Sequence, residues 1–78
     1  MREVKFILPA DEIQVFINGE PQKLPTTASV AGLLKYLQLP LDRVAVELNK
    51  SLVRKRDWDA TQVEDGSRLE IVEFVGGG

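Results

Sequence analysis

Apolar residues recur two apart in several stretches of the chain and at helical spacing in one. Ile13, Val15 and Ile17 alternate with Gln14, Phe16 and Asn18, the period of a strand with one buried face. Asn18-Gly19 follows, and both residue types tolerate the positive φ of a tight hairpin. Residues 22–24 then form the returning strand, bounded by Pro21 and Pro25. Proline cannot donate to a ladder, so this strand belongs at a sheet edge.

Ser29 is placed to cap a helix, its hydroxyl accepting from first-turn amides. Behind it Val30, Leu33, Leu34 and Leu37 fall at i, i+3, i+4 and i+7, one apolar stripe. Pro40 is expected to stop this helix. Gly32 sits inside it at a cost of about 1 kcal/mol relative to alanine, which suggests a close approach of helix to sheet. Val44, Val46 and Leu48 resume the period of two around Ala45 and Glu47. Asn49-Lys50 makes a turn into a short strand at Leu52-Val53. Residues 54–61 are polar apart from Trp58 and Ala60 and predict an irregular or 3₁₀ turn, with Trp58 as a packing residue. Asp65-Gly66 is a turn signal. Residues 68–75 form the last strand, with Leu69 and Ile71 inward, and three glycines end the chain.

The order hairpin, helix, strand, short strand, strand predicts an α+β fold: a mixed sheet of four to five strands with one main helix on one face. The first and last strands lie parallel at the centre. That is the β-grasp arrangement of ubiquitin. The domain is expected over residues 12–75. Residues 1–11 are an N-terminal extension, flexible or an added strand, and 76–78 a flexible glycine tail.

Composition narrows the chemistry. In 78 residues, 44% are hydrophobic and 28% charged, which fits one globular domain. The net charge of -2 offers no basic surplus for nucleic acid or an anionic membrane. Cysteine and histidine are both absent, which removes disulfides, thiol nucleophiles and the usual zinc ligands. Asp57, Asp59, Glu64 and Asp65 lack the spacing of a calcium loop, so no metal is assigned. Arg54-Lys55-Arg56 reads as a solvated charge run. The charged N-terminus does not read as a signal peptide, and no apolar run nears the roughly 20 residues of a membrane helix. A cytoplasmic monomer with no catalytic residue and no bound cofactor is expected.

Several segments stand in order along the chain: Ile17-Asn18-Gly19, Val30 with Leu33-Leu34, and the run Val44-Ala45-Val46-Glu47-Leu48-Asn49. Arg56, Trp58 and Asp65-Gly66 follow, and then Leu69-Glu70-Ile71-Val72-Glu73-Phe74-Val75-Gly76-Gly77-Gly78. Together they resemble the ThiS family, the ubiquitin-like sulfur carrier proteins of bacterial thiamine biosynthesis. Three features depart from that family: the long N-terminal extension, Ser67 where an acid often follows Asp-Gly, and Lys55 where a proline often stands.

The resemblance implies that Gly78 is the modified residue, its carboxylate adenylated and then converted to a thiocarboxylate, with Gly76 and Gly77 as the tail that delivers it. It implies three partners: a ThiF/MoeB-like adenylyltransferase using ATP with magnesium, a cysteine desulfurase or other sulfur donor, and thiazole synthase as acceptor. Sister carriers for molybdopterin or tRNA thiolation, a ubiquitin-like modifier of lysines, and an interaction module with an inert tail stay open as alternatives. The strand alternation turns Phe16, Ala45, Val72 and Phe74 away from the helix. They are expected to form one exposed apolar patch for partner docking, with Phe74 as anchor. Val4, Phe6 and Leu8 of the extension are an alternative cover for that patch.

Overall fold

The computed structural model describes residues 12–25 and 27–75. The N-terminal extension and the three tail glycines lie outside those residues. A five-stranded sheet carries the domain, in the order β2 (Glu20–Leu24), β1 (Ile13–Ile17), β7 (Arg68–Glu73), β4 (Val44–Leu48), β5 (Ser51–Val53). The first and last strands are parallel and adjacent, with Phe16 beside Arg68 and Ile17 beside Leu69. The other pairings in this sheet are antiparallel. The mixed β-grasp sheet expected from the strand order is therefore present.

Two hairpins set its register. Asn18 and Gly19 take φ of 51° and 85°, and Asn49 and Lys50 take 50° and 74°. Two consecutive positive-φ residues give the turn whose twist matches the flanking strands. The returning strand β2 includes Pro21, which the edge position tolerates.

The helix α1 spans Val30–Tyr36. The Ser29 Oγ accepts from the Gly32 amide at 3.0 Å. The Val30 and Ala31 amides donate to the Thr61 and Trp58 carbonyls at 2.8 and 3.1 Å, so the 58–61 loop completes the cap. The helix ends before Pro40 is reached. Gln38 turns left-handed at φ 61°, its amide bonds the Lys35 carbonyl, and the Leu39 amide bonds the Leu34 carbonyl. That is a Schellman stop built without glycine.

The side of the sheet facing α1 holds the core. Val15, Val30, Leu33, Leu34, Val46 and Val63 are fully buried, and Leu69 nearly so. Each contributes about 1.5–3 kcal/mol through burial. Trp58 is buried too, its indole N–H donating to the Val53 carbonyl at 3.0 Å, so it packs as expected. A pairing not anticipated joins β3 (Ala28–Ser29) to β6 (Gln62–Val63) and ties the helix entrance to the loop before β7.

Gly32 corrects one expectation. A Cβ built there meets Ser29 Oγ at 3.4 Å and Ala28 Cβ at 3.5 Å, which are groups of its own cap rather than of the main sheet. Both are ordinary contacts, so no close approach requires glycine. Gly32→Ala is therefore expected to raise the stability by up to about 1 kcal/mol in urea unfolding; a loss would mean the cap cannot accommodate a methyl group.

Candidate functional site

The last strand, β7, lies between β1 and β4, and the chain leaves it toward the C-terminus. On the β4 side the ladder runs from Leu48 beside Leu69 to Val44 beside Glu73. It ends with the Phe74 amide donating to the Arg43 carbonyl at 2.7 Å. On the β1 side the strand pairing stops at Ile17 and Leu69. Beyond it the Asn18 side chain takes the place of the missing backbone. Its Oδ1 accepts from the Ile71 amide at 2.8 Å, and its Nδ2 donates to the Ile71 carbonyl at 3.0 Å. Asn49 acts at the other end, its side-chain Oδ1 accepting from the Arg68 amide at 2.9 Å while its main-chain amide donates to the Arg68 carbonyl at 2.7 Å.

The start of β7 is held by the turn before it. The Asp65 carboxylate accepts from the Gln14 amide at 2.8 Å, and the Gly66 amide donates to the Gln14 carbonyl at 2.7 Å. Gly66 takes φ 85°, which explains the Asp-Gly pair. Ser67, where the resemblance led one to expect an acid, is buried. Its hydroxyl accepts from the Glu64 amide at 2.9 Å and closes the turn.

After Phe74 the chain leaves the sheet. Val75 is 92% exposed. Gly76, Gly77 and Gly78 come next and lie outside the described residues. Three further residues extended span at most about 10 Å.

The sheet face away from α1 bears the side chains expected to dock a partner. Ala45 and Val72 are direct cross-strand neighbours. Val72 and Phe74 are both 56% exposed. Phe16 is set apart from them. It pairs with Arg68, four residues before Val72 along β7, a separation of about 13 Å. The Arg68 guanidinium lies over the Phe16 ring at 4.5 Å, a cation–π contact that covers part of the aromatic face. Between the two groups Glu47 and Glu70 face one another across β4 and β7. The face is thus a Phe16–Arg68 end, an acidic middle and an Ala45–Val72 end rather than one continuous apolar patch.

Leu52 belongs to this surface and was not anticipated. It is 65% exposed, stands opposite Glu47, and lines one depression with Ala45, Glu47, Glu70 and Val72. The signal was available: a two-residue turn at Asn49-Lys50 with Val53 inward obliges Leu52 to point outward. Among the described residues no three acidic side chains come together as metal ligands, and no helix is long and apolar enough to cross a membrane.

Comparison with known proteins agrees with this geometry. A model of the ThiS family matches residues 6–78. The crystal structure of a thiamine biosynthesis protein (ThiS) from Geobacter metallireducens superposes with a TM-score of 0.75 at 33% identity, covering 85% of this chain and 100% of that one. The sulfur carrier protein ThiS of Bacillus subtilis is 36% identical over 63 residues, 80% of this chain and 96% of its own length. A thiazole synthase of Paramagnetospirillum magneticum is 39% identical over 66 residues, 85% of this chain but only 20% of that protein.

Proposed function

The chain belongs to the ThiS family, the sulfur carriers of thiamine biosynthesis, and from that premise we propose that its Gly78 carboxylate is adenylated and then thiolated. An α-carboxylate has a pKa of about 3.3–3.7, so it is an anion at neutral pH. In that state it is a poor acyl donor. One carboxylate oxygen attacks the α-phosphorus of ATP on a partner adenylyltransferase and releases pyrophosphate. Hydrosulfide attacks the acyl carbon and expels AMP; where a cysteine desulfurase supplies the sulfur, its persulfide attacks instead, and a thiol then cleaves the acyl disulfide and is itself oxidised to a disulfide. The resulting thiocarboxylate carries sulfur to thiazole synthase. The chain acts as a carrier and co-substrate, and the acid, base and nucleophile work belongs to its partners.

The observation that carries this reading is the way β7 ends. The strand is bonded on its β4 side as far as Phe74, and only four residues separate Phe74 from the terminal carboxylate. The domain can therefore stay outside a deep active site while the glycines, lacking Cβ, pass through a narrow channel. Ordering them costs about 1–2 kcal/mol per residue, and a docking surface must offset that. Phe74, Val72 and Ala45, joined by Leu52, are proposed as that surface, with Phe16 as a separate contact beside Arg68. The stretch resembling this chain within a thiazole synthase supports thiazole synthase as the acceptor, because fusion holds donor and acceptor at high effective concentration.

Incubation with the source organism's adenylyltransferase, ATP and a sulfur donor tests the reaction by intact mass. The expected gain is that of one sulfur replacing one oxygen, and deletion of Gly78 abolishes it. An unchanged mass with an active enzyme would refute the carrier reading, and lysine-linked products in cells would favour a protein modifier. Phe74→Ala is expected to weaken docking to that enzyme by about 1–3 kcal/mol. Its unfolding free energy should change by no more than about 0.5 kcal/mol; unchanged affinity would show that the anchor lies elsewhere.

A further inference from the structure

The two sides of β7 do not end together. Phe74 bonds Arg43, so antiparallel alternation turns the amides and carbonyls of Val72 and Glu70 toward β4 as well. Those of Leu69, Ile71 and Glu73 point the other way, toward β1. Leu69 meets the Asn18 amide, and Ile71 meets the Asn18 side chain. At Glu73 β1 and its turn have already ended, and among the described residues no hydrogen-bond partner meets its backbone on that side. The next residue with the same orientation in an extended chain is Val75. A short stretch of open sheet edge thus lies immediately before the glycine tail.

A groove runs beside this edge on the helix side. Ile17, Leu37, Leu39 and Ile71 supply its apolar wall, and Glu20 and Glu73 its charged rim. Ile17, Leu37 and Leu39 pack against the core and are only partly buried, so the groove is backed by fixed side chains. Among the described residues no lysine or arginine lines it.

We propose that this edge and groove receive an extended segment of the adenylyltransferase that takes the tail, adding one strand beside Glu73 and Val75. The proposal rests on the carrier reading above. The added strand accepts from the Glu73 amide and donates to its carbonyl. It seats an apolar side chain against Leu37 and Leu39 and presents a lysine or arginine to Glu20 and Glu73. Strand addition uses main-chain bonds for grip and the groove for selectivity. It lies on the opposite side of the sheet from Ala45, Leu52 and Val72. The partner would then hold the base of the tail from both sides, fixing its direction before the glycines enter.

Amide hydrogen exchange read by nuclear magnetic resonance tests this on the whole chain, alone and with the source organism's adenylyltransferase. In the free protein the Phe74 amide should exchange slowly and the Glu73 amide fast. With the enzyme bound, Glu73 should become protected. Glu73→Pro removes the outward-facing donor together with the rim carboxylate, and Glu73→Gln removes the carboxylate alone; the proline variant should bind the enzyme about tenfold more weakly than the glutamine variant, the effect of one lost hydrogen bond. Slow exchange at Glu73 in the free protein would show the edge already covered and overturn the proposal. So would a complex that forms and thiolates Gly78 while Glu73 stays unprotected, which would leave the carrier reading standing. Failure of the wild-type chain both to bind and to be thiolated would overturn both.

Discussion

The rest of the structure depends on the double pairing of β7. A central strand must satisfy its backbone on both sides, yet neither neighbour is long enough to do so. β1 gives out beside Leu69, and β4 ends its hairpin beside Arg68. Two turn asparagines make up the difference: the Asn18 side-chain amide donates and accepts as a peptide group would, and the Asn49 side-chain oxygen accepts beside its own main-chain donor. Buried backbone groups without partners would cost about 1–3 kcal/mol each. Asn18 and Asn49 therefore do more than permit positive φ. They keep the last strand straight and fully bonded to Ile71, which positions Leu69 and Ile71 beneath the helix and sets the direction in which the chain leaves the sheet.

From that constraint comes a division of labour. Up to Phe74 the chain is scaffold, held by core packing on one side and open to solvent on the other. Beyond it come Val75 and three glycines. The absence of cysteine and histidine then fits the family's chemistry, since the proposed sulfur bond is made at a backbone carbon and needs no side chain. The acidic middle of the open face, Glu47 opposite Glu70, is a pairing of like charges that sheet stability does not favour.

Much of this was legible in the chain. The hairpins at Asn18-Gly19 and Asn49-Lys50, the Ser29 cap and the inward sets of β1, β4 and β7 follow from local spacing and turn chemistry. The features that escaped depend on contacts between distant positions. Asn18 reaches Ile71 across 53 residues, and nothing local distinguishes a turn asparagine that bridges strands from one that does not. The β3–β6 pairing involves strands of two residues, too short to show a period. The separation of Phe16 from Val72 comes from the parallel register of β1 and β7, which alternation along single strands does not encode. The helix stop lay in Gln38 rather than Pro40 because hydrogen bonding at the C-terminal turn ended the helix first. The role proposed for the tail is the least local of all, since three glycines acquire meaning only from the strand and family that present them.

The central claim is that a fixed domain delivers one reactive carboxylate at Gly78. Pyrophosphate exchange tests it most directly, using the source organism's adenylyltransferase with the natural chain and with a semisynthetic chain ending in a Gly78 amide. The natural chain should drive exchange of labelled pyrophosphate into ATP. The amide should dock with comparable affinity and drive none. Exchange supported equally by the amide would place the reactive group elsewhere and contradict the claim.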